Sequence, residues 1–196
     1  MPKPVLAVDF DDVLAGFNLA FAKWHNEHYE TKVEYANIYS YDMALIYDTD
    51  ADTIRHRVMD FSHNYHDLIE PLDDVATHLR LLVERYELAL VTSRCESTRG
   101  VTGQWKDLHI PEMFAGAYYG NNFSIRFPDR HRSKLDICRE IGAVAHVDDA
   151  ISHANEVASG LGIPVFMPDR PWNQEPVHEK VIRVSGWEEI TFHLLA

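Results

Sequence analysis

At 196 residues the chain fits one domain with room for a modest insertion. Hydrophobic residues make up 46% and charged residues 25%, the balance of a chain that buries a core, and no apolar run approaches the roughly 20 residues that cross a bilayer, so neither the composition nor the patterning suits a disordered or membrane class. The 18 Lys and Arg against 31 Asp and Glu leave a net charge of −13, a field that repels long polyanions and argues against a nucleic acid polymer as partner; a small phosphorylated ligand beside a bound divalent cation is easier to accommodate.

The opening MPKPVLAVDF has one Lys and a very short apolar stretch leading straight into acids, which lacks the layout of a signal peptide and sets the expectation of a cytoplasmic protein. Residues 4–9, PVLAVD, are a short continuous apolar run ending in acid, the mark of a strand buried on both faces. From 16 to 70 the pattern becomes helical, with Phe17, Phe21, Trp24 and His28 on one face of a first helix and Ile54, Val58 and Phe61 on one side of a second over 52–65. A helix is predicted over 73–85, a strand over 87–92 (ELALVT), a weaker strand over 114–120 and a helix over 133–141. A strand over 143–149, a helix over 150–160 ahead of Gly162 and a strand over 163–167 complete the series. Alternation of this kind predicts an α/β fold, a Rossmann-like parallel sheet flanked by helices, with a catalytic core of 1–15 and 71–196. The stretch 16–70 is expected to form a small helical cap inserted after the first strand, and ligands of such sheets sit beyond the carboxyl ends of the strands, where a cap excludes water.

The chemistry-bearing residues gather at those strand ends. Asp9, Asp11 and Asp12 place three carboxylates in four positions, and two such charges about 4 Å apart repel by about 4 kcal/mol at an effective dielectric near 20, so the cluster calls for a cation or a shared proton. An all-oxygen set suits Mg²⁺. Asp12 on its own reads as a solvated acid in a turn. After the second strand, Thr92-Ser93-Arg94 offers a hydroxyl and successive N–H groups able to hold phosphate oxygens, and Arg94 is a candidate to touch substrate. Lys134, which alone reads as a surface lysine, starts a helix, and the adjacent acids Asp148 and Asp149 end the fourth buried run.

Asp9-x-Asp11-x-Val13, Thr92, Lys134 and Asp148-Asp149, each after an apolar strand or at a helix start and in this order, resemble the four motifs of the haloacid dehalogenase-like superfamily from residue 5 to about 170. The resemblance implies that Asp9 is the nucleophile and Asp11 the general acid and then base. It implies that Asp9, the main-chain carbonyl of Asp11, and Asp149 hold Mg²⁺ with help from Asp148. Thr92 would bind phosphoryl oxygens and Lys134 would neutralise charge. An insertion of roughly 55 residues between the first two motifs, and Asp9-Phe10-Asp11-Asp12-Val13-Leu14-Ala15-Gly16-Phe17 set against DxDGVLADF, resemble the 5′(3′)-deoxyribonucleotidases; Asp12 stands where that pattern has Gly, and Gly16 where it has Asp. Arg170-Pro171-Trp172-Asn173 resembles a segment after that group's last motif. The implied activity is a Mg²⁺-dependent phosphatase of small phosphomonoesters, with a nucleoside monophosphate as substrate. Three rivals differ from it: a phosphatase of a non-nucleotide metabolite, a catalytically weak or inactive phosphate-binding regulatory protein on the same fold, and a phosphorylation-controlled receiver, whose motif order the chain does not follow.

Ser93, Arg94, Phe17 and Trp24 are the expected substrate contacts, although a helical aromatic stripe also reads as core. His25 with His28 and His63 with His66 have metal-compatible spacing without a clear third ligand, and Arg126, Arg130, His131, Arg132 and Lys134 form a basic stretch that reads as a loop. Cys95 and Cys138 are expected as packed thiols. A homodimer is among the assemblies left open.

Overall fold

The structure, a computed structural model, describes residues 2–122 and 130–196; Arg126 of the basic stretch lies outside them. Strands β1 (Val5–Val8), β2 (Glu87–Thr92), β3 (Gly116–Tyr119), β4 (Ala143–Val147), β5 (Val165–Pro168) and β6 (Val181–Val184) form one parallel sheet in the order β3-β2-β1-β4-β5-β6. The order reverses between β1 and β4, whose carboxyl ends carry Asp9 and Asp148-Asp149, and the crevice of an open α/β sheet lies at that reversal. Register is set at this pair by Val8 opposite Val147, with a shift between Val5 and Leu6.

Among the described residues eight α-helices accompany the strands: α1 (Phe17–Tyr29), α2 (Met43–Ile46), α3 (Ala51–Asn64), α4 (Val75–Leu82), α5 (Arg99–His109), α6 (Lys134–Glu140), α7 (Ile151–Leu161) and α8 (Trp187–Leu195). Successive strand residues face opposite sides, so Leu6 and Val8 join a core with Val75 and Leu79 of α4, Trp105 of α5 and Ile190 of α8, while Ala7 joins Ile137 of α6 and Val157 of α7 on the other side. That is the expected Rossmann-like α/β arrangement. Outside the helices between β1 and β2, it contains three strands or α-helices not read from the sequence: β6 carries Arg183 mid-strand, α5 carries Gly100 and Gly103, and α8 follows Gly186 with two consecutive acids in its first turn, all of which blur a period. α7 ends as its pattern indicates, with Gly162 in the left-handed conformation at φ 67°.

Between β1 and β2 the chain makes α1, α2, α3 and α4. Phe17 stacks on Phe21 at 5.7 Å, and Phe61 of α3 meets both edge-on at 5.5 and 5.4 Å, which holds α1 against α3. These rings belong to the same buried cluster as Leu6, Val8, Phe10 and Val13, so the inserted helices share one apolar core with the sheet. Asp50 caps α3 by accepting from the Thr53 N–H at 2.8 Å. Cys95 and Cys138 are both buried, as packed thiols are, and Cys95 Sγ lies 3.8 Å from Met59 Sδ. Among the described residues, no helix is long and apolar enough to cross a membrane.

Candidate active site

The loop after β1 is folded by its own backbone. The N–H groups of Leu14 and Ala15 donate to the Phe10 carbonyl, and that of Asp12 to the Ala15 carbonyl. The turn holds Asp12 at φ 56°, in the left-handed region where glycine costs nothing and Asp is one of the tolerated residues. Asp12 is not the solvated acid expected: it is 3% exposed, and both its oxygens accept from the Asn18 N–H at 3.1 and 3.2 Å. Gly16, at the cap position of α1, has no side chain to offer, so Asp12 supplies the helix with its N-terminal acceptor.

Asp9 continues β1, its N–H donating to the Val147 carbonyl at 2.9 Å, and its carboxylate is buried. One oxygen of each of Asp9, Asp148 and Asp149 lies within 4.8 Å of the other two. Lys134 is not a surface residue: it is 1% exposed, with its ammonium 2.9 Å from Asp9 Oδ2 and 2.7 Å from Asp148 Oδ2. Gly120 fixes where Lys134 starts its helix. Its N–H donates to the Thr92 carbonyl and its carbonyl accepts from the Arg132 N–H, an approach so close that a Cβ there would lie 2.9 Å from the Arg132 carbonyl oxygen. Ser133 then caps α6 by accepting from the Asp136 N–H.

The carboxylates divide into two kinds. Asp148 accepts from Lys134, from His146 Nε2 at 2.8 Å and from the Ala150 N–H at 3.0 Å, and although burial opposes its charge, Lys134 with the imidazoles of His146 and His153 holds it well below the usual range. Burial pushes Asp9 up to about 6 against the pull of Lys134, and burial with the charges of Asp9 and Asp148 pushes Asp149 well above the carboxylate range. Burial disfavours the Lys134 ammonium, but Asp148 and Asp9 outweigh it and hold the ammonium above the lysine range. One lysine thus faces three buried carboxylates, two of them pushed toward protonation. An all-oxygen donor set with surplus negative charge fits a divalent cation.

Thr92, 1% exposed at the end of β2, accepts from the Arg94 N–H at 3.2 Å, and Ser93 Oγ accepts from Asn122 at 3.3 Å. Beyond β5, Arg170 donates to the Asp12 carbonyl from Nε and Nη2 at 3.2 and 2.9 Å, and Trp172 Nε1 donates to Asp149 Oδ2 at 2.7 Å. Asn173 bridges the Asp149 and Pro168 carbonyls at 2.9 Å each. This segment orients Asp149, a role not assigned from the sequence; Trp and Asn a few residues past a strand carry no local signal of it. His146, fully buried within β4, is likewise silent in sequence because its partners, the Ala7 carbonyl and Asp148, come from tertiary packing.

A cavity of about 320 Å³ opens above these strand ends, its lining including Asp11, Asp12, Asp149, Phe17, Met43 and Ile54. Phe17 lines it; Trp24, expected beside it, is 2% exposed in the core between Phe21, Phe61 and Tyr65 and is not part of its lining. Tyr41, 47% exposed overall, joins the lining from the loop before α2, and its surroundings beside Asp149 and Asp9 raise that phenol above its ordinary range. The Asp11 carboxylate points to Arg94, 2.7 Å away, and is not one of the three clustered acids. Among the described residues no histidine joins that cluster: His25 bonds Thr31 and Arg57, His28 the Trp24 carbonyl, His63 the Met59 carbonyl and His66 Arg94.

Residues 3–122, which include Asp9, Asp11 and Thr92, match the model of the family described as 5′ nucleotidase, deoxy (pyrimidine), cytosolic type C protein. A protein of Bacillus subtilis (strain 168), provisionally named the nucleotidase YqfW, is 23% identical over 199 residues, covering 94% of this chain and 90% of its own length. Among solved structures, a haloacid dehalogenase-like family hydrolase from Streptococcus pneumoniae superposes with a TM-score of 0.67 at 14% identity, covering 97% of this chain and 98% of that one. A predicted phosphatase from Clostridium acetobutylicum superposes with a TM-score of 0.66 at 11% identity over 100% and 99% of the two chains. At these identities the structures speak for the fold.

Proposed function

Since the chain belongs to the family of 5′ nucleotidase, deoxy (pyrimidine), cytosolic type C proteins, and is a phosphoric monoester hydrolase of the haloacid dehalogenase-like type, we propose that it hydrolyses a deoxynucleoside monophosphate in a Mg²⁺-dependent reaction. The observation that carries this reading is the buried cluster of Asp9, Asp148 and Asp149 against Lys134, opening beside a cavity with an apolar wall. In it, Asp9, Asp149 and the Asp11 carbonyl would hold the cation, with Asp148 assisting. The bound ion would neutralise charge on the phosphoryl oxygens. Asp9 attacks phosphorus from one side, and the leaving alcohol oxygen departs from the other, taking a proton from Asp11. Asp11, now a carboxylate, takes a proton from a water whose oxygen attacks the same phosphorus, breaking the bond to Asp9 and releasing phosphate. Thr92 donates to the phosphoryl oxygens, Ser93 supports it, and Lys134 offsets charge on Asp9 and the phosphoryl group, since phosphoryl transfer depends mainly on alignment and charge neutralisation.

Residues 16–70 act as the cap over a core of 1–15 and 71–196, with Phe17, Met43, Ile54 and Val58 facing the nucleoside. The net charge of −13 and this roof both disfavour a phosphorylated strand end. The family description also carries the cytosolic setting that we propose for this chain.

The test is hydrolysis with Mg²⁺ of a deoxynucleoside monophosphate, a sugar phosphate and a terminally phosphorylated oligonucleotide, each repeated in chelator. The monophosphate should exceed the oligonucleotide by about 100-fold in kcat/KM at low salt. Part of that gap should close as the Debye length falls from about 10 Å at 0.1 M to about 3 Å at 1 M salt. Activity should vanish in chelator and return with Mg²⁺. Equal cleavage of the oligonucleotide at low salt, preference for the sugar phosphate, or full activity in chelator would each contradict the reading.

A further inference from the structure

Arg94 was expected to touch substrate, yet nearly every group it carries is committed elsewhere. Its N–H donates to Thr92 Oγ1 and its carbonyl accepts from the Asn121 N–H, which pins the backbone. Nε donates to Asp11 Oδ2 at 2.9 Å and Nη2 to Asp11 Oδ1 at 2.7 Å, a two-pronged fork on one carboxylate. Nη1 donates to Thr102 Oγ1 at 3.1 Å and to His66 Nδ1 at 3.2 Å. Burial and the Arg94 charge hold His66 down to about 4, so its ring is neutral and Nδ1 is free to accept. The guanidinium lies 4.4 Å from the centre of the Phe10 ring. Four of its five N–H donors are therefore used, the residue is 5% exposed, and it does not line the cavity, whereas the Asp11 side chain is 30% exposed and does.

We propose that Arg94 is a positioning residue for Asp11 and not a phosphate ligand. A lone carboxylate turns about two side-chain bonds; gripping both oxygens fixes its plane, and Thr102 of α5 and His66, just after α3, fix the grip. The proposal rests on the reading of Asp11 as the group that moves protons at the leaving oxygen and at water. In that role a displacement of about 1 Å costs about 100-fold in rate, while substrate binding, which Arg94 does not touch, is spared.

Arg94→Met and Thr102→Val are made alone and with Asp11→Asn, and each is assayed on a deoxynucleoside monophosphate and on nitrophenyl phosphate, whose leaving group needs little protonation. Arg94→Met should lower kcat on the nucleotide by about 100-fold with KM within about threefold, and should lower it less on the aryl ester. Thr102→Val should give the same pattern at about a tenth of the size, and it carries the test if Arg94→Met does not fold. Neither change should cost anything further in the Asp11→Asn background. If Asp11→Asn alone favours the aryl ester but Arg94→Met and Thr102→Val cost as much with it as without it, or raise KM alone, the positioning role is wrong and the reading of Asp11 stands. If Asp11→Asn lowers both substrates equally, that reading falls and the proposal with it.

Discussion

Asp9→Asn is expected to lower kcat on the monophosphate by at least about 10⁴-fold while the protein stays folded. The amide occupies the same buried place at the end of β1 but offers no nucleophilic oxygen to phosphorus. Stability should move the other way. The Asp9 carboxyl sits at about 6 in the folded chain against an ordinary 3.8, so between those two values the folded state keeps a proton that the unfolded state has lost. Metal-free parent protein therefore loses stability from this group as pH rises from about 4 to about 6, on the order of 3 kcal/mol, and Asn is immune. Urea titrations in chelator should show the variant gaining on the parent across that window and the gap levelling above it. Near-parental turnover would remove Asp9 from the nucleophile role.

Lys134→Met is expected to be costly in both respects. The ammonium is buried and bridges Asp9 and Asp148, so removing it leaves two carboxylates facing each other without a counter-charge. Breaking a buried pair in this way costs about 3–5 kcal/mol, or roughly 10 °C in Tm for a chain of this size. The rate should fall about 100- to 1000-fold as the charge beside the phosphoryl group is lost. Asp148→Asn in the same chain should recover part of the stability and none of the rate, because it removes the repulsion without restoring the cation. Thermal melts of the single and double variants check this; a Lys134→Met protein as stable as the parent would show that the pair is not coupled to the fold.

Much of this site was legible because strand ends announce themselves. Continuous apolar runs broken by acid placed Asp9, Asp148 and Asp149 at the ends of β1 and β4, and the spacing around Thr92 and Gly162 marked a strand and a helix terminus. Contacts that cross the fold were not legible. Nothing local to Lys134 says that Gly120 lets its helix start beside β2, or that Asp12 turns inward to cap α1 in place of Gly16. The Trp24 stripe was correct as an apolar face, but which of its rings reaches the cavity depends on where α3 packs: Phe17 reaches it and Trp24 does not. Arg94 shows the same limit, since its two-pronged grip on the Asp11 carboxylate joins residues 83 apart in sequence and leaves no local signal.

Attack by Asp9, as proposed, would make the reaction two successive in-line displacements at one phosphorus. The measurement that isolates this is the stereochemical course of hydrolysis of a thiophosphate monoester made chiral with oxygen isotopes, run in isotopically labelled water. Two displacements, each inverting, give product with configuration retained at phosphorus, which is the predicted result; inversion would mean that water attacks the substrate directly and that Asp9 forms no bond to phosphorus.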